Sequence, residues 1–114
     1  MFNTITHLEV PVTNVARAKR FYGKLFVLKF VTLDTGYVIF KPAKGVGGAF
    51  VPVKKVFRGD TFVPYFEVKS VEKALLIAKR LRAKVIVPYT SIGEYGFMAH
   101  IQDSEGNVIG LHET

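Results

Sequence analysis

Apolar positions along the chain follow two periods in turn, one near 3.6 residues and one near two. Val15, Ala18, Phe21, Tyr22, Leu25 and Phe26 recur at three-to-four spacing, which predicts an amphipathic helix with Arg17, Lys19, Arg20 and Lys24 on its solvated face. Asn14 stands just before it, where a side-chain cap is expected. The same plan returns over 64–81, "PYFEVKSVEKALLIAKRL", with Ser70 as the cap. Val12 matches Val68, Asn14 matches Ser70, Val15 matches Val71 and Ala18 matches Ala74, all at one constant spacing in the sequence. After each helix the pattern turns β-rich: "KFVTL", "TGYVIFKPA" and "GGAFVPV", then "KVIVPYT", "YGFMAHIQD" and "NVIGLHE". Each half therefore reads as β-α-β-β-β. "DSEGN" at 103–107 predicts a hairpin turn, Lys41–Gly47 is its match, and "KKVFRGDT" at 54–61 joins the halves.

The expected fold class is α+β, with two βαβββ modules, 1–53 and 62–114, in a single domain of 114 residues. Pro88 suits a strand edge, and Val27 and Arg82 stand where a glycine often follows a helix. Phe21, Tyr22 and Phe26 are expected in the core.

Composition narrows the function classes. Hydrophobic residues make up 49% and charged ones 22%, as in a globular protein. No apolar stretch has the length of a membrane span, and the opening "MFNTITHLEV" lacks the features of a signal peptide, so no membrane partner and a cytoplasmic location are expected. The absence of cysteine removes disulfide frameworks, zinc ribbons and thiol catalysis. A net charge of +7 raises nucleic acid as a partner, but no nucleic-acid-binding motif accompanies it. Few Asn and Gln beside much Lys fit a thermophilic source. Phosphate loops, GxGxxG and serine-nucleophile elbows are also missing.

The doubled module carries "THLEVPVTNVARAKRFYGKLF", "GGAF" and "IGEYGFMAHIQDSEGNVIGLHE" in that order. In these segments the whole chain resembles the vicinal oxygen chelate superfamily of glyoxalase I, bleomycin-resistance proteins and extradiol dioxygenases, in its branch of lactoylglutathione-lyase-related proteins. The resemblance implies two modules curving round one cup, commonly in a homodimer. It also implies a divalent ion held by one residue on the first strand and one on the last strand of each module. His7 matches the first of these positions, but its counterpart is Val63, and the last-strand carboxylates fall on Gly110 and Gly48. One ligand of four does not hold a metal. No metal and no cofactor are therefore expected.

Period-two alternation puts Glu9 on the face of His7, Tyr65 on that of Val63, Phe50 on that of Gly48 and His112 on that of Gly110. His7 and Glu9 are the expected catalytic pair, with wall polarity as the plainer reading. Phe50, Tyr65, Glu94, His100 and His112 are the expected ligand-binding residues. His100 lies on a strand with apolar residues in both registers, which leaves its face open. Glu94 sits in "TSIGEYGF", a segment whose glycines would permit a lid. The leading expectation is a protein that holds an unknown small molecule, either as a binder or as a metal-independent acid–base enzyme. Its rivals are a metal-dependent lyase or isomerase acting on a small carbonyl compound, with a rearranged site of His7, Glu9, His100 and His112, and a basic interaction module.

Overall fold

A computed structural model describes residues 2–57 and 62–114, so the last four residues of the 54–61 connection lie outside the described residues. The chain divides into two compact units, Met1–Val56 and Phe57–Thr114.

In the first unit, β1 (Leu8–Val12), α1 (Val15–Leu25), β2 (Lys29–Thr32), β3 (Val38–Lys41) and β4 (Gly48–Pro52) follow one another. The strands form a mixed sheet in the order β1-β4-β3-β2, with β1 and β4 parallel. Asn14 caps α1 as its pattern requires, its side chain accepting from Arg17 N at 2.9 Å. The helix buries Ala18, Phe21, Tyr22 and Leu25. Tyr22 meets Phe50 at a ring-centroid distance of 5.0 Å, and Phe50 meets Phe40 at 5.1 Å. Val10, Val12 and Val38 complete this core.

The second unit repeats the plan with β5 (Tyr65–Glu67), α2 (Val71–Arg80), β6 (Val85–Ser91), a short 3-10 turn (Gly93–Tyr95), β7 (Phe97–Gln102) and β8 (Val108–Glu113). Its sheet order is β5-β8-β7-β6, with β5 and β8 parallel. Val71, Ala74 and Ala78 of α2 are buried, as are Ala99, Ile101, Ile109 and Leu111 of the sheet. Ser70 caps α2 through Lys73 N at 3.1 Å. The carboxylate of Glu113 also accepts from Val71 N at 2.8 Å, placing negative charge at the helix start where the peptide dipoles favour it. At the other end Arg82 adopts the left-handed φ of 64° that a glycine would take more easily.

The 103–107 hairpin forms as its residues dictate. Gly106 has φ 93°, and the buried Asp103 carboxylate accepts from Glu105 N and Asn107 N at 2.8 Å each. Pro88 lies on β6, an edge strand whose pairing with β7 shifts register on either side of Val87. That irregular edge needs no amide from Pro88. Among the described residues no helix is long and apolar enough to cross a membrane.

Strand register corrects one expectation. Glu9 pairs with Ala49, and Tyr65, 56 positions further on, pairs with Gly110. The first-unit counterpart of Gly110 is therefore Ala49, not Gly48. A slip of one residue on a strand reverses the face. Gly48 and Phe50 consequently lie on the helix-covered side, where a Cβ on Gly48 would overlap the Leu8 carbonyl. Phe50, expected to bind ligand, is fully buried against Tyr22 and Phe40 and belongs to the core.

Candidate functional site

Each sheet has one face packed under its helix and one open face. On the open face of the second unit, His100 pairs with Gly110 across β7 and β8, and Gly110 pairs with Tyr65 across β8 and β5. Directly paired residues share a face, so Tyr65, Gly110 and His100 form one row across three strands. Neighbouring strands lie about 4.8 Å apart, so two side chains flanking a third strand meet only by leaning over it. Gly110 offers nothing to lean against. The Tyr65 ring covers it, so that a Cβ on Gly110 would overlap that ring. Beyond the glycine the phenol oxygen reaches His100 Nε2 at 2.5 Å, with the two rings edge to face.

His112, two positions along β8 from Gly110, is paired with Met98 on the same face. Its Nε2 lies 2.7 Å from the Tyr95 carbonyl oxygen. A carbonyl only accepts, so Nε2 carries the proton and donates, and Nδ1 remains directed elsewhere. This bond ties the Gly93–Tyr95 turn to the sheet. Gly96, which follows the turn, has φ 100° in a place where a Cβ would overlap the Glu113 carbonyl, so only glycine fits there. Glu94 is exposed on the turn and makes no hydrogen bond or ion pair among the described residues.

His7 and Glu9 lie in the first unit. His7 Nε2 and Glu9 Oε2 are 3.8 Å apart, with 46% and 64% of the side chains exposed. At that distance they make no hydrogen bond, and their exposure to water weakens any attraction between them. The first-unit row equivalent to Tyr65–Gly110–His100 runs Glu9–Ala49–Ile39. Here the middle residue is again small, but the far partner is aliphatic, so Glu9 finds no polar side chain across it.

Tyr65, His100 and His112 were legible as candidates, and the structure brings the first two into direct contact. The bond between them was not legible, because it depends on the register of three strands. Tyr89 was missed. Its ring stacks on Phe97 at 4.8 Å, and its phenol is pushed above the ordinary tyrosine value by loss of water, then by Glu113 and Glu72.

Among the described residues no three His, Asp or Glu side chains converge as metal ligands would. Position 110 supplies no donor, and the space its side chain would enter is filled by a phenol ring. The residues present do not fit the divalent ion that the resemblance implies.

The chain has the same fold as solved fosfomycin resistance proteins and a glyoxalase/bleomycin resistance protein/dioxygenase family enzyme. Solved structures carry this result, all at low sequence identity. The fosfomycin resistance protein FosX of Listeria monocytogenes matches with a TM-score of 0.83 at 15% identity, over 100% of this chain and 95% of its own. FosX of Mesorhizobium loti matches with a TM-score of 0.79 at 15% identity, over 100% of this chain and 94% of its own. A glyoxalase/bleomycin resistance protein/dioxygenase family enzyme of Burkholderia phytofirmans matches with a TM-score of 0.77 at 16% identity, over 95% of this chain and 96% of its own. No family model matches the sequence, and no curated protein matches it.

Proposed function

We propose that this protein binds a small molecule through the open sheet face of its second unit, without a metal ion, and that the Tyr65–His100 pair is its polar and proton-transferring group. The observation that carries this reading is the 2.5 Å phenol–imidazole contact made over the bare backbone of Gly110. The Listeria FosX neighbour has been crystallised with manganese(II) and sulfate. Here the carboxylate position on the last strand holds a glycine, and a phenol takes the space.

The chemistry follows from the donor inventory. A phenol donates one proton and accepts another, and a neutral imidazole holds one nitrogen of each kind. A carbonyl or hydroxyl oxygen placed against the Tyr65 oxygen would gain a donor, while His100 takes or returns a proton through the shared bond. Met98 supplies an apolar neighbour, and His112 holds the adjacent turn. The half-exposed phenol is open to such a molecule. In this reading the pair takes the role that His7 and Glu9 were expected to have, since it is in hydrogen-bond contact while those two exposed side chains are 3.8 Å apart.

The test is a thermal-shift screen of small carbonyl and hydroxy compounds on chelator-treated protein, followed by calorimetry on the variants. A ligand found this way should bind Tyr65→Phe and His100→Gln about tenfold more weakly, equivalent to losing roughly 1.4 kcal/mol, with little change in melting temperature of the free protein. Stabilisation that appears only after metal is added back, or unchanged affinity in both variants, would sink the reading.

A further inference from the structure

The net charge of +7 is carried by one half of the chain. Residues 1–56 hold nine Lys and Arg against two acidic residues, nine minus two giving +7, whereas residues 57–114 hold seven of each and balance. Within the first unit the cations gather on α1, which has Arg17, Lys19, Arg20 and Lys24 and no acidic residue. Arg20 and Lys24 stand four apart, a spacing at which like charges repel. Helix α2 relieves its own cations with Glu72 in the first turn. Among the described residues Lys19, Arg20 and Lys24 make no ion pair. A helix that keeps such an arrangement is held against its own electrostatics.

These three cations rim a shallow groove of about 490 Å³ whose other lining residues are Ala16, Gly23 and Phe30. Phe30 is half-buried. It approaches Phe50 of the core at 6.1 Å, and Lys19 Nζ stands 5.7 Å from its ring centroid. Gly23 is the unexpected residue, since glycine inside a helix is disfavoured relative to alanine. A Cβ there would come to 3.3 Å from Phe30 Cε2, so the bare backbone lets the ring lie close against the helix and form the groove floor. Cations without an ion pair, a partly open aromatic floor and a helix-interior glycine beside it all meet in this place.

We infer that this groove is a second ligand site, separate from the open sheet face, for a flat aromatic dianion such as an aromatic phosphate monoester. The ring of the ligand lies on Phe30 between Ala16 and Gly23 as the Lys19 side chain swings off that ring, and the phosphate is held by Arg20 and Lys24 with Lys19 beside it. Three cations around one shallow groove match a doubly charged group better than a neutral one.

The experiment is an amide-resolved NMR titration of the intact chain with 2-naphthyl phosphate, run beside inorganic phosphate and 2-naphthol. The expected result is saturable binding of the naphthyl phosphate, with shifts confined to residues 16–24 and 29–31 and at least tenfold weaker binding by each control. Arg20→Gln and Lys24→Gln, both exposed changes that leave the core untouched, should each weaken binding several-fold. Phe30→Leu should weaken naphthyl phosphate and leave the response to inorganic phosphate as it was. Equal binding of inorganic phosphate, shifts spreading to Lys41, Lys44, Lys54 and Lys55 as on a diffuse polyanion surface, or wild-type affinity in both charge variants would each overturn the inference. Tyr65→Phe should bind naphthyl phosphate as wild type does, which separates this site from the one on the second unit.

Discussion

Phe50→Ala is expected to lower the unfolding free energy by about 3–5 kcal/mol, the usual cost of removing a fully buried aromatic side chain. Phe50 has no exposed surface and packs against Tyr22, Phe30 and Phe40. Truncation leaves a cavity walled by other rings, and rigid rings collapse poorly into such a space. Urea unfolding of the two proteins measures the difference. A loss below about 1 kcal/mol, with ligand binding impaired instead, would return Phe50 to the pocket that strand alternation first suggested.

Gly110→Ala carries the second large effect, and it separates crowding by Tyr65 from any general intolerance of β8. The new Cβ would overlap the Tyr65 ring, so the ring must swing out and the contact with His100 breaks. Overpacking of this kind costs roughly 1–3 kcal/mol. Tyr65→Ser removes the obstruction, so adding Gly110→Ala to that variant should cost little. The double-mutant cycle should give a coupling of about 1 kcal/mol or more, as expected for residues in contact. Additive effects would mean that Gly110 is required for some reason other than the phenol above it.

Much of this architecture was readable in the sequence because its signals are local. Helix α1 declares itself through Ala18, Phe21, Tyr22 and Leu25 at helical spacing and through Asn14, whose side chain can cap only the amides just ahead of it. The doubling was readable because the two halves keep one offset through β1, α1 and their repeats. Beyond the helices that offset fails. Tyr65 lies 56 positions after Glu9, but Gly110 lies 61 after Ala49, because the connections of the second half are longer. An alignment that misses this length difference by one residue reverses the face of a strand. It moved Gly48 and Phe50 from the helix side, where they pack, to the open side.

The site was readable to the extent that single residues carry it. Gly110 was conspicuous as a departure from the resembled pattern, and Tyr65, His100 and His112 were nameable as polar groups on strands. Their grouping was not, because the Tyr65–His100 contact is set by two pairings, one parallel and one antiparallel, between strands far apart in the chain. His7 and Glu9 show the opposite limit. They are close in sequence, yet their exposed side chains make no hydrogen bond to each other and stand 3.8 Å apart.

Metal content per chain distinguishes a metal-free pocket from a metal centre. Untagged protein is purified without chelator, incubated in turn with nickel, zinc and manganese, desalted, and analysed for metal per chain. No ion should be retained at a stoichiometric level, since position 110 offers no donor and Tyr65 fills the space beside it. Retention near one ion per chain would contradict a metal-free pocket, and would show that His7, His100 or His112 serves as a ligand in an arrangement other than the one described.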